Sequence, residues 1–199
     1  DGLFGVMLHL VAPDALFAHL SYGIVHASHR RPAYAFGTIP SATEVRLADL
    51  LISLIRRVPF KTFPFSATVR FGRVADSLSE ISKLPLHEFI TCMMKVTLDD
   101  RCRRLAELET RMSVDPTYPD YWRTAAEQYR DAFLKSAARP GFYVPIEFRD
   151  GGPLDSAFGR LRKFVEEFAE LVRWWGRMRE LACTKGTSPK VDKPAKNKI

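Results

Sequence analysis

The chain has 199 residues, 46% of them hydrophobic and 27% charged, with 14 Phe and a formal net charge of +7. This length supports one sizeable core, and the composition excludes wholesale disorder. The placement of the charge argues against a basic groove-binding body: Lys185, Lys190, Lys193, Lys196 and Lys198 against Asp192 put +4 in the last 16 residues, residues 85–183 balance, and residues 1–84 carry the other +3.

Cys92, Cys102 and Cys183 are an odd, widely spaced set without a Cys-x-x-Cys pair. They predict neither a disulfide framework nor a zinc site, but ordinary thiols in a reducing compartment or a mitochondrial matrix. The sequence opens at Asp1 rather than Met, as after natural processing or artificial truncation, and its Arg-rich body is compatible with the matrix side of a mitochondrion without demanding it.

Residues 2–27 carry no charge except Asp14, and Pro13, His9, His19 and His26 dilute their apolar character. An Asp at a helix centre costs about 2.5–3.5 kcal/mol on the insertion scale against about 0.3–0.6 gained per large apolar residue, so a single span is marginal. The alternative is two short helices, residues 3–11 and 14–27, with Pro13 at the start of the second. Residues 32–40 form an extended linker between two prolines.

Ser41 and Glu44 make a capping box ahead of Val45, Ala48, Leu51, Ile52, Leu54 and Ile55, which predicts a helix that Pro59 ends. Phe60, Phe63 and Phe65 follow in a proline-broken loop, and three Phe in a loop need cover from the core or from a partner. Phe71, Val74, Leu78 and Ile81 predict a shorter helix. The Ser-Ala-Thr at Ser41 recurs at Ser66, but the apolar registers around the two do not superpose.

Pro85 opens a long helix reaching about Met112, striped first by Leu86, Phe89, Met93 and Val96 and last by Leu105, Leu108 and Met112. Asp99, Asp100, Arg101, Arg103 and Arg104 interrupt the stripe, as in a helix running into solvent or across a subunit boundary. Residues 115–119 form a turn, and Trp122, Ala126, Tyr129 and Phe133 predict the next helix, ended by Arg139-Pro140-Gly141. Residues 142–148 are expected to be extended, with Pro145 confining any strand to an edge.

After the Asp150-Gly151-Gly152-Pro153 turn, residues 153–182 carry the strongest pattern in the chain. Leu154, Phe158, Leu161, Val165, Phe168, Val172 and Trp175 keep four-three spacing, and Phe164, Leu171 and Met178 add a column at sevens. Two columns predict a spine buried against several helices of the chain. Trp174 lies outside the stripe and beside Arg173 and Arg177, where a protein partner or a stacked base would suit it.

Catalytic signatures are missing. His19, His26 and His29 have helical spacing but no Cys or carboxylate motif beside them, so exposed or interfacial histidines are expected rather than a metal site. Asp99 with Asp100 and Glu107 with Glu109 lie among arginines and predict a charge network rather than acid–base chemistry. No phosphate loop and no nucleophile elbow occurs, and Cys92 lies in an apolar stretch.

The expected fold is all-α, an irregular bundle of about six or seven helices. It comprises a low-charge arm over residues 1–31, a helical domain over 32–183 and a basic tail over 184–199. No cofactor is expected. The expected function is that of a non-catalytic structural or accessory subunit of a large mitochondrial membrane complex, of the respiratory-chain or ATP-synthase type. It would sit at the inner membrane or on the matrix side, with lipid contact possible through residues 2–27. Partner contacts are expected at Phe60, Phe63, Phe65, Trp174, Lys190, Lys193 and Lys196. The alternative is a peripheral protein of a mitochondrial ribosome or other RNA assembly, touching RNA through the lysine tail; the neutral body favours protein over nucleic acid.

Overall fold

The computed structural model describes residues 2–11, 43–59, 66–114 and 120–185. Within them the protein is all-helical: α1 (Gly2–Val11), α2 (Leu47–Arg56), α3 (Ala67–Ser82), α4 (Leu86–Val114), α5 (Asp120–Ala137) and α6 (Leu154–Lys185), with two short 3₁₀ turns before α6. The expected second arm helix (14–27), the linker (32–40), Ser41, Phe60, Phe63, Phe65, the turn at 115–119 and the tail beyond Lys185 lie outside the described residues.

The core forms around α6. Phe158, Leu161, Val165, Ala169 and Val172 recur every three or four residues along one side of it and are fully buried, facing Phe71, Val74, Ala75 and Leu78 of α3. The two helices run antiparallel: Thr68 at the start of α3 donates to the Gly176 carbonyl at 3.5 Å, and Arg162 donates to the Leu84 carbonyl just past the end of α3 at 3.3 Å. Between them Arg173 pairs with Asp76 at 2.8 Å.

Gly176 permits this approach. A Cβ there would lie 3.2 Å from Phe71 Cβ and 3.7 Å from the Thr68 Cα. A methyl at this position requires Phe71 to give by a few tenths of an ångström, and a branched side chain requires more.

Ser66 caps α3, its hydroxyl accepting from the Val69 amide. The cap on α2 differs from the one the sequence predicts. The helix starts at Leu47 rather than just after Ser41, and the residue ahead of it, Arg46, is extended with no side-chain cap. Glu44 is drawn away to Arg149, and the Leu47 amide is instead accepted by Glu147, 100 residues on, at 3.0 Å. A tertiary carboxylate thus replaces the local capping box.

Residues 142–148 are not extended throughout; only Val144 and Pro145 are. The rest of the segment lies in two 3₁₀ turns, Pro140–Tyr143 and Ile146–Phe148, because Arg149 curls back to the Val144 and Phe142 carbonyls at 2.8 and 2.9 Å while also pairing with Glu44. The Ile146 amide donates to the Val45 carbonyl at 2.9 Å, tying this segment to the approach to α2. Phe142, Tyr143 and Val144 are consequently buried.

Helix α1 buries Met7 and Leu10 in the same core and packs on α2 and α3, where Arg70 donates to the Leu10 carbonyl at 3.0 Å. Phe4, one turn before Met7, flanks this face and is exposed. Among the described residues no helix is long and apolar enough to cross a membrane.

Gly151 at φ +80° makes the turn into α6. Asp150 accepts from the Gly152 amide at 3.2 Å and pairs with Arg160 at 2.8 Å. The amide first and the guanidinium second hold its carboxyl below its ordinary pKa.

The two glycines inside α6 should respond oppositely to substitution. A Cβ at Gly159 would meet nothing within 4 Å, so Gly159→Ala stabilises by about 0.5–1 kcal/mol in urea unfolding, whereas Gly176→Val destabilises. Because the folded Asp150 carboxyl has the lower pKa, its stabilisation is present above the ordinary carboxylate range and is lost as pH falls through the folded value. Asp150→Asn should therefore lower the melting temperature at neutral pH and leave it unchanged in strong acid.

Candidate functional site

Two surface features stand out: a charged cleft between α2 and α4, and an apolar ridge on α6. The cleft has a volume of about 610 Å³ and is lined by Ser53, Arg56, Arg57, Asp99, Asp100, Arg103 and Glu107. The interruption in the α4 stripe produces it. The charges of α4 meet α2 and α5 of the same chain, where aliphatic packing gives way to ion pairs, while the Asp99, Arg103 and Glu107 side chains stay about half exposed to solvent, as the sequence predicts.

Asp100 is the buried member, about 10% exposed in its side chain, and it is held by Arg103 at 2.8 Å and Arg104 at 2.7 Å. Arg57 reaches Asp99 at 2.8 Å, and Arg103 also pairs with Glu107 at 2.6 Å. Asp100 first, then Glu107, raise the Arg103 pKa above its ordinary value. Arg101, only 11% exposed, donates to the Glu44 carbonyl at 3.0 Å and Tyr129 Oη at 3.3 Å and lies 3.5 Å from Asp49, joining α2, α4 and α5. Glu109 pairs with Arg130 of α5.

This arrangement fastens helices. Asp99, Asp100, Glu107 and Glu109 are each engaged by arginine. Thr97 Oγ1 is the only buried side-chain polar atom without a protein partner among the described residues, and Thr97 lines a void of about 10 Å³ beside Asp49 and Ser53, the size of one water. Among the described residues no three His, Cys, Asp or Glu side chains are grouped to hold a metal; His19, His26 and His29 lie outside them. Burial raises the Cys92 thiol pKa, with Arg57 and Lys95 opposing, so it is a poor nucleophile.

The ridge revises the expected spine. The sequence pattern predicts a second column buried against other helices of the chain, but Leu171 is 55% exposed and Met178 54%. Trp174 and Leu181 stand in the same exposed row. At about 100° per residue these four cluster on the side of α6 opposite Val165, Ala169 and Val172, which face α3. Phe164, at the ridge's N-terminal end, is half-buried against Phe148 and Phe168.

Trp175, expected in the core stripe, lies at its edge: it stacks on Phe71 at 6.0 Å yet stays 41% exposed. Trp174 is 57% exposed, with the Arg177 guanidinium 5.4 Å over its ring. Of the expected partner residues only Trp174 is described; Phe60, Phe63, Phe65, Lys190, Lys193 and Lys196 lie outside. Sequence reasoning misses Leu171 and Met178 as surface residues. The signal for them is the adjacent apolar pairs Leu171–Val172 and Trp174–Trp175, since neighbours about 100° apart cannot share one narrow face.

Asp100→Ala should cost about 1–3 kcal/mol in urea unfolding, because it strips two arginines of a buried partner, whereas Asp99→Ala at the open rim costs less than about 1 kcal/mol. No family model matches the chain, and neither a curated protein nor a solved structure is significantly similar to it.

Proposed function

We propose that the chain is a non-catalytic structural subunit of a larger protein assembly and that the ridge of α6 is its docking face. The observation carrying this reading is that α6 has two apolar sides, and only one is consumed by its own core. Leu171, Trp174, Met178 and Leu181 along one row, with Trp175 at the edge of the core beside them, form the kind of patch that marks a protein contact, and Trp with neighbouring Arg is the composition of interface anchors.

The proposed setting is a mitochondrial membrane complex of the respiratory-chain or ATP-synthase type. The low charge of residues 2–27 and the basic tail with Lys190, Lys193 and Lys196 support a place beside an anionic membrane surface. The engaged carboxylates of the cleft support a structural role over catalysis.

The test is blue-native electrophoresis of tagged chain from mitochondria. Wild-type protein should migrate with a large assembly and stay there at about 200 mM salt, where tail-driven RNA binding would fall away steeply. Leu171→Glu with Met178→Glu should leave the melting temperature within about 2 °C, since both positions are exposed, and abolish co-migration. Co-migration unchanged by these substitutions contradicts the reading.

A further inference from the structure

The charges bordering the ridge identify its occupant. On the ridge side of α6 the N-terminal half carries Lys163, Glu167 and Glu170, a net −1, and the C-terminal half carries Arg177, a net +1, while Arg173 is turned to Asp76 of α3. A parallel neighbour with the same sequence would set like charges side by side, and an antiparallel one sets acid against base. The ridge is therefore complementary to itself in one orientation, which is the requirement of a two-fold interface.

We infer that the occupant of the ridge is a second copy of this chain, its α6 lying antiparallel to the first about a two-fold axis between Val172 and Arg173. This rests on the ridge being a protein-docking face. With Leu171 and Met178 at heptad position a and Trp174 and Leu181 at position d, this register layers Leu171 on Trp174 of the second copy, Met178 on the methylene stem of its Glu167, and Phe164 on its Leu181. It also sets Glu170, at the ridge margin, opposite Arg177 of the second copy, and the symmetry makes this pair twice. Both charges stand at the ridge: Glu170 lies 3.1 Å from Arg173, and Arg177 covers the Trp174 face at 5.4 Å.

Opposite the ridge, α6 is occupied by α3, so a second helix can lie along it without displacing the core. The exposed parts of Leu171, Trp174, Trp175, Met178 and Leu181 offer on the order of 500 Å² per copy, so a pair reaches the ~1,000 Å² at which specific interfaces begin. The area is that of a small, non-obligate interface.

Sedimentation velocity of the purified full-length chain between about 1 and 100 µM tests this. Wild-type protein should pass from monomer to dimer across that range. Glu170→Arg and Arg177→Glu should each weaken dimerisation about tenfold or more when alone, because like charges then meet twice. An equimolar mixture of the two variants should restore the dimer, since every mixed pair is opposite in charge.

A monomer at about 100 µM, or a mixture no better paired than either variant alone, overturns the second copy. If the chain is monomeric while Leu171→Glu with Met178→Glu still abolishes co-migration, the docking face stands and only its occupant changes. A dimer that persists in that double variant overturns this use of the ridge.

Discussion

The contact on which the rest of the structure depends is the antiparallel packing of α3 on α6 across Gly176. Missing side-chain volume at that one position brings the Phe71 Cβ and the Thr68 backbone against the helix. The close approach lets Phe71, Val74 and Leu78 interdigitate with Phe158, Leu161, Val165 and Val172, none more than 1% exposed. The other elements attach around this pair: α1, α2 and α4 contact α3, α4 also contacts α6, and the second 3₁₀ turn packs on α6. Helix α3 has 16 residues and α6 has 32, so α3 cannot cover the whole of α6. Length mismatch and one-sided packing together expose the ridge.

Away from this pair, the assembly of helices relies on arginine. Arg101 joins three helices, Arg149 folds the segment before α6 and ties it to Glu44, and Arg103 with Arg104 neutralises Asp100. A planar guanidinium with several donors can satisfy carbonyls and carboxylates from different elements at once, which lysine cannot do as well. The Arg-rich composition of the body is thus explained by internal fastening, without recourse to an anionic ligand.

Much of the architecture is legible in the sequence because its elements are set by local periodicity. The stripes of residues 71–81, 86–96 and 154–172 form α3, the first half of α4 and α6, since apolar residues recurring every three to four positions bury only as helices. The departures fall where a residue distant in sequence decides. Glu147 caps α2 in place of the Ser41–Glu44 box, and Arg149 winds residues 142–143 and 146–148 into 3₁₀ turns where Pro145 alone suggests an extended segment. The ridge is half legible: the pattern singles out Trp174 but puts Leu171 and Met178 in the core. Apolar residues look alike in sequence whether they meet their own chain or another one, and only the covering of one side by α3 separates the two.

The most direct measurement of the central claim is hydroxyl-radical footprinting of the native assembly against the isolated chain at low concentration. Trp174 and Met178 are both more than half exposed and react readily when uncovered. If α6 docks through its ridge, both side chains are oxidised in the isolated chain and protected in the assembly, while exposed Tyr121 on α5 reacts equally in both. Equal oxidation of Trp174 and Met178 in the two states would show that the second apolar side of α6 faces solvent throughout, and would contradict the account.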